Sequence, residues 1–362
     1  MKRSTKVAIA GAAVGVGVAA AVAVAKAFQT PEASPLPHPD PGRSRRPLDD
    51  ALFAMPDGVV EHDIATPDGG SLHVVEKGSG RPLLLLHGVT LRHDVWAPQF
   101  HQLTDRYRVI AVDLRGHGRS VPGTDGFGMG PLADDIATVL RELDLHDAIV
   151  AGHSMGGMAT INFVGRHPHA VLERVAAVVL VATAASDAVP PYFSNAARAV
   201  IRQSEAQVAR GHSLPAKSMA KSLARLAFGA SPSPRAVAIV GDMVEDMVEH
   251  HLVQSLRGIL DHDGRQALAG CPVPAVVVVG TRDTLTPVPA ARRMARLLPG
   301  AELVVLPRAG HQLMQERPQE LAEVVDALVQ RIEGHAGSVE DALADDPGLV
   351  GPDQVEEPST EG

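Results

Sequence analysis

The sequence predicts an α/β protein with a mostly parallel, doubly wound sheet and an inserted helical cap. Three observations carry that prediction. Short runs apolar on both faces recur at 83–86, 108–112, 148–151, 176–181, 275–279 and 302–306. Helical spacing fills several of the gaps, at 131–143, 155–166, 289–298 and 318–332. Strands buried on both faces and separated by helices describe a parallel sheet covered on both sides. The third observation is the gap at about 187–268, which holds no convincing strand and is far too long for a crossover loop. Its apolar residues have helical spacing at 196–207, 216–228 and 237–260, so it reads as an inserted helical subdomain.

In chain order, the first element is a targeting segment. Lys2, Arg3 and Lys6 precede nineteen uncharged residues, 7–25, made of Val, Ala, Ile and Gly. As a helix that run spans ~28 Å, close to the ~30 Å hydrocarbon core of a bilayer. The expectation is an uncleaved membrane anchor over residues 1–28, with the folded domain outside the cytoplasm. The alternative is a secretory signal cleaved near Ala25-Lys26-Ala27, because nine alanines and three glycines make the run weakly lipophilic. Gly15-Val16-Gly17-Val18-Ala19-Ala20 imitates a dinucleotide-binding turn. Proline-rich sequence follows it where a helix and a distal acid are needed, so no cofactor is expected. Residues 29–50 contain Pro31, Pro35, Pro37, Pro39, Pro41 and Pro47 and read as a semi-rigid linker.

The folded domain is expected over 51–333. It opens on a hairpin, with strands at 62–65 and 72–76 around the turn Pro67-Asp68-Gly69-Gly70. It closes before 334–362, which carries eight acidic residues, no Lys or Arg, and reads as a disordered tail.

Composition excludes several classes. With 45% apolar and 21% charged residues the chain is not disordered throughout. The single cysteine, Cys271, excludes a disulfide framework and is expected to act as a small buried hydrophobe. A net charge of −9, of which the tail supplies −8, argues against a nucleic-acid partner and says little about substrate.

Three segments, each just after a predicted strand, carry the chemistry. Gly152-His153-Ser154-Met155-Gly156 sets a serine on a sharp strand-to-helix turn whose glycines remove clashing Cβ atoms. Val279-Gly280-Thr281-Arg282-Asp283 offers a carboxylate, and Gly310-His311 an imidazole. A serine hydroxyl is a poor nucleophile at neutral pH and needs a base, and a carboxylate fixes that base's tautomer. Ser154, Asp283 and His311 are therefore the expected catalytic residues, brought together on one edge of a parallel sheet. Asp187 is the rival acid. His87, His117 and His153 are expected to organise loops, and Trp96 to pack beneath the first of them. Neither His250-His251 nor Asp261-His262-Asp263 has zinc-motif spacing, and no metal is expected.

The order Ser154, Asp283, His311, with Leu83-Leu84-Leu85-Leu86-His87-Gly88 and Asp113-Leu114-Arg115-Gly116-His117-Gly118-Arg119-Ser120, resembles the α/β-hydrolase fold superfamily over about residues 60–333. That resemblance implies an oxyanion hole built from the backbone N–H groups of Val89 and Met155. It also places the family's helical cap where 187–268 falls. The sequence departs from relatives with Pro soon after the His-Gly pair; Val89-Thr90 stands there instead.

The expected activity is hydrolysis of carboxylic esters or lactones with an apolar acyl or alcohol part, through an acyl-enzyme. A cofactor-free haloperoxidase or perhydrolase, or an acyltransferase, would use the same three residues. A catalytically silent, membrane-tethered binding protein is the reading outside enzymes. The sequence leaves the substrate and the oligomeric state open.

Overall fold

The computed structural model describes residues 48–186, 191–211 and 224–345. The apolar run expected to anchor the chain, at 7–25, most of the expected linker, the rival acid Asp187 and residues 346–362 lie outside them. Among the described residues no helix is long and apolar enough to cross a membrane.

Strands β1 (Val60–Ala65) and β2 (Ser71–Lys77) form the expected hairpin, and β3 (Arg81–Leu86), β4 (Tyr107–Val112), β5 (Ala148–His153), β6 (Val175–Val181), β7 (Ala275–Gly280) and β8 (Glu302–Leu306) follow. They make one eight-stranded sheet in the order β1-β2-β4-β3-β5-β6-β7-β8. β1 pairs antiparallel with β2 and β2 with β4, and every later pairing is parallel.

Strict alternation sorts each central strand into two cores. Leu83, Leu85, Val109, Ala111, Ile149, Ala151, Val179 and Val278 face one side. There they meet Phe100 and Leu103 of α1 (Ala97–Leu103). Their neighbours Leu84, Leu86, Ile110, Val112, Val150, Val178 and Val277 face the other. These pack on Ile136 and Val139 of α2 (Met129–Glu142) and Met158 and Ile161 of α3 (Met155–Arg166). Burying one such leucine contributes about 1.5–3 kcal/mol, which is why both faces of the strands are apolar.

After α4 (Pro168–Arg174) and β6 the chain leaves the sheet for the expected helical insertion. Its described helices are α5 (Pro191–Ala209), α6 (Pro234–Asp246) and α7 (Glu249–Asp261), followed by the short α8 (Arg265–Ala269). The apolar spacing at 237–260 is thus two helices. They break at Met247 and Val248, both extended, so that Met247 is buried while Val248 stays exposed. The described residues close with α9 (Val288–Leu297), the one-turn α10 (Leu313–Glu316) and α11 (Pro318–Asp345). α11 packs Leu321, Val324, Val325 and Leu328 on the first core and runs on into the segment set apart as an acidic tail.

From β3 the chain winds outward to β4, crosses back to β5 on the other side of β3, then continues outward through β6, β7 and β8. The winding reverses between β3 and β5, and a parallel sheet opens a crevice outside its strand ends where it reverses. Gly88 follows β3 and Ser154 follows β5, so the switch point sits between them.

Candidate active site

Ser154 is the residue between β5 and α3, with φ 52° and ψ −116°. A non-glycine residue held there costs about 1–3 kcal/mol and persists only where its surroundings over-determine it. They do so here. Its N–H donates to the Val181 carbonyl at 3.0 Å, and its own carbonyl accepts from Thr183 Oγ1 at 2.7 Å. A Cβ on Gly156 would lie 2.4 Å from the Leu86 carbonyl oxygen, and one on Gly88 would lie 3.1 Å from Ser154 Cβ. The glycines thus let α3 and the β3 loop close on the serine.

Asp283 follows β7 and His311 follows β8, and both are buried. His311 Nδ1 stands 2.9 Å from Asp283 Oδ2. Asp283 Oδ1 accepts from the N–H groups of Leu285 (2.9 Å) and Thr286 (2.8 Å), and Oδ2 from Thr286 Oγ1 (2.8 Å). Burial pushes the carboxyl up, but His311 and the Thr286 donors outweigh it and hold its pKa below the usual carboxylate range. An ionised carboxylate only accepts, so Nδ1 carries the imidazole proton and Nε2 is left as the basic nitrogen. The residue before the serine is tied to the same loop: His153 Nε2 lies 2.9 Å from the His311 carbonyl oxygen, and the two rings are 4.8 Å apart.

The profile of the alpha/beta hydrolase family matches residues 83–324. This chain belongs to that family. It is 28% identical over 265 residues to the AB hydrolase superfamily protein YisY of Bacillus subtilis, covering 73% of this chain and 97% of that one. It is 29% identical over 259 residues to the non-heme chloroperoxidase CPO-A1 of Kitasatospora aureofaciens, covering 68% and 90%. Among solved structures it superposes on a thermophilic esterase from Thermogutta terrifontis with a TM-score of 0.66 at 25% identity, covering 75% and 99%. Membership of this alpha/beta hydrolase family supports an enzyme.

Of the two expected oxyanion donors, one directly follows the serine in sequence and the other directly follows Gly88. Met155 opens α3, so its N–H has no carbonyl four residues back within the helix. Val89 lies on the loop after β3. Its peptide begins at the Gly88 carbonyl, which accepts from His87 Nδ1 at 2.7 Å and from the Leu91 N–H at 3.2 Å. In a trans peptide, N–H and C=O point oppositely, so those two bonds also aim the Val89 N–H. His87 Nε2 accepts from the Leu114 N–H at 2.9 Å, which leaves the proton on Nδ1. Burial, with His117 adding, drives the His87 pKa down to about 3 and keeps the ring neutral.

The loop roles expected of the histidines hold. His117 Nδ1 bonds the Arg115 carbonyl, and Trp96 is fully buried, edge-on to His153 at 6.5 Å. His251 and His262 are occupied by the carbonyls of Gly116 and Ala184. Cys271 is buried, and burial raises its thiol to about 11.

Sequence reasoning missed three groups around the site. Thr286 braces Asp283 and had a signal, since a Thr three residues after an Asp often closes its turn. Thr183 had none. Glu316 is a buried carboxylate accepting from the N–H groups of Gly229 (2.8 Å) and Gly310 (2.9 Å). Together with the His311 N–H on the Ala227 carbonyl (2.7 Å), it joins the middle of the cap insertion, just before α6, to the His311 loop. Nothing at position 316 announces a partner so far away in sequence.

Proposed function

We propose that the protein is a serine hydrolase of carboxylic esters or lactones. The observation that carries this is the 2.9 Å Asp283–His311 pair on the loop that His153 ties to the serine's own turn. In this reading His311 Nε2 takes the Ser154 proton as Oγ attacks the acyl carbon, then gives it to the departing alcohol. Asp283 stabilises the imidazolium that forms, and the Val89 and Met155 N–H groups hold the oxyanion. Water repeats the sequence on the acyl-enzyme. The insertion, rich in Leu, Val, Ala, Met and Phe and without clustered charge, supports an apolar substrate.

Turnover of p-nitrophenyl esters and of lactones across acyl lengths tests the proposal. Activity in the wild type, lost by about 10³–10⁶ in Ser154→Ala, is the expected result. A wild type inert across the panel overturns it. The chloroperoxidase relative favours a second reading, in which the same acyl-enzyme passes its acyl group to hydrogen peroxide. Faster bromide oxidation with acetate and peroxide than ester turnover would select it.

A further inference from the structure

Around the end of β4, next to the hairpin strand β2, one nitrogen each of His73 and His93 and an oxygen of Asp113 lie within 4.8 Å of one another. We propose that these three residues bind a Zn²⁺-class divalent transition-metal ion. The residues come from three separate elements: β2, the turn at His93–Trp96 after the β3 loop, and the residue following β4. That separation hides the site from any reading of sequence spacing.

Three features distinguish it from an ordinary hydrogen-bonded cluster. The first is separation. Ligands ~2.0–2.1 Å from a tetrahedral Zn²⁺ stand roughly 3.3 Å apart. His93 Nδ1 is already 2.9 Å from Asp113 Oδ1, and the His73 ring meets the His93 ring edge-on at 5.3 Å. The widest separation, at most 4.8 Å, would have to close by up to roughly 1.5 Å.

The second feature is an outer carboxylate. Asp63 sits directly across the hairpin from His73, and its Oδ1 is 3.2 Å from His73 Nδ1. Because a carboxylate accepts, Nδ1 carries the proton and Nε2 is left unprotonated. This is the carboxylate–histidine pairing that orients metal ligands and raises their basicity. Nε2 meets the Arg119 guanidinium, at 3.4 Å, and that side chain is exposed and also bonded to Glu61. It can swing outward and leave a path from solvent.

The third feature is the setting of Asp113. Its side chain is fully buried and held by the N–H groups of His93 (2.6 Å, to Oδ1) and Arg119 (2.9 Å, to Oδ2). A Cβ on Gly118 would fall 2.1 Å from Oδ2, so the backbone wraps this carboxylate closely. Oδ1 also faces His93 Nδ1, whose proton a bound ion would displace, freeing that nitrogen and a lone pair on Oδ1 together. Two imidazoles and one carboxylate suit Zn²⁺ and its neighbours, whereas Mg²⁺ demands an octahedron of oxygens. A bound ion would tie β2 and β4 to the loop that carries Val89.

The full chain, stripped with a chelator, is titrated with Zn²⁺ alone, with Mg²⁺ alone as the control. One tight Zn²⁺ equivalent is expected in the wild type and in the His250→Gln/His251→Gln double variant. It is expected to vanish in His73→Gln and in His93→Gln, and to weaken about 10–100-fold in Asp63→Asn. A tight equivalent that survives in both single variants overturns the proposal, as does a wild type without one. Zinc X-ray absorption on the wild type needs no variant to fold. A shell of two imidazoles plus oxygen supports the site, and a shell lacking two imidazoles refutes it.

Discussion

The ring of His153 and the backbone of His311 are joined: Nε2 of the first donates to the carbonyl oxygen of the second across 2.9 Å. The residue beside the proposed nucleophile therefore fixes the loop that carries the proposed base, over a separation of 158 residues. Burial, with the charge of His311 adding, pushes the His153 pKa well below its usual value, so the ring stays neutral and keeps its donor. Replacing His153 by Phe preserves the bulk and removes the donor. The expected result is a kcat lower by about 10–100-fold with KM little changed, because small misplacements of reacting groups are that costly. Steady-state kinetics on the best ester decides it, and an unchanged kcat contradicts the positioning role.

Asp283→Asn keeps the shape of the side chain but gives His311 Nδ1 an amide to meet. The wrong imidazole tautomer then faces Ser154, and kcat is expected to fall by about 10³–10⁴. The thermal midpoint should change little beside that loss, since Leu285 and Thr286 can still donate to the amide oxygen. Activity within about tenfold of wild type would transfer the acid's role to another residue, with Asp187 the first to test.

Leu84 is fully buried in the second core, between the strand layer and the helices beneath it. Leu84→Ala is expected to cost about 2–5 kcal/mol by urea unfolding, through lost transfer energy and the cavity left behind. A cost under about 1 kcal/mol would mean that this face is less tightly packed than its burial implies.

Acid should weaken the fold through its buried neutral histidines. Burial above all holds His87 at about 3 and both His117 and His262 at about 4. The same residues in the unfolded chain titrate near ~6.5, so that state takes up protons first. Stability is therefore full above about pH 6.5 and falls as pH drops toward 4, by up to about 1.4 kcal/mol per pH unit for each histidine. His93 acts in the opposite direction, because the Asp113 carboxylate outweighs burial and raises its pKa. Asp68 and Asp113 are held at about 2 and lose their contribution only in stronger acid. The urea midpoint is expected to be clearly lower at about pH 5 than at about pH 7.5, and an equal or higher value contradicts the buried neutral rings.

Much of this was legible in the sequence because the signals are local. Runs such as Leu83–Leu86 are apolar at every position, which only a strand with two covered faces tolerates, and each appears in the sheet within a residue or two of its expected limits. Gly152, Gly156 and Gly88 mark close backbone approaches that a Cβ would block, so the serine turn was readable as well. The unread parts depend on partners distant in the chain. His93 and Asp113 become a pair only once β4 lies beside β3, and Glu316 meets Gly229 only once the middle of the cap insertion packs on the His311 loop. The break at Met247 was hidden for another reason: apolar residues continue through it at helical spacing, and only the extended backbone angles reveal it.

The central claim is that Ser154 is the nucleophile, and covalent capture tests it most directly. The wild type is treated with a fluorophosphonate, digested, and mapped by mass spectrometry. A single phosphonylated serine at position 154 is predicted, with no label in Ser154→Ala and strongly reduced label in His311→Ala. A wild type that resists the probe under conditions that label a known serine hydrolase, or that carries the label on another residue, would contradict the account.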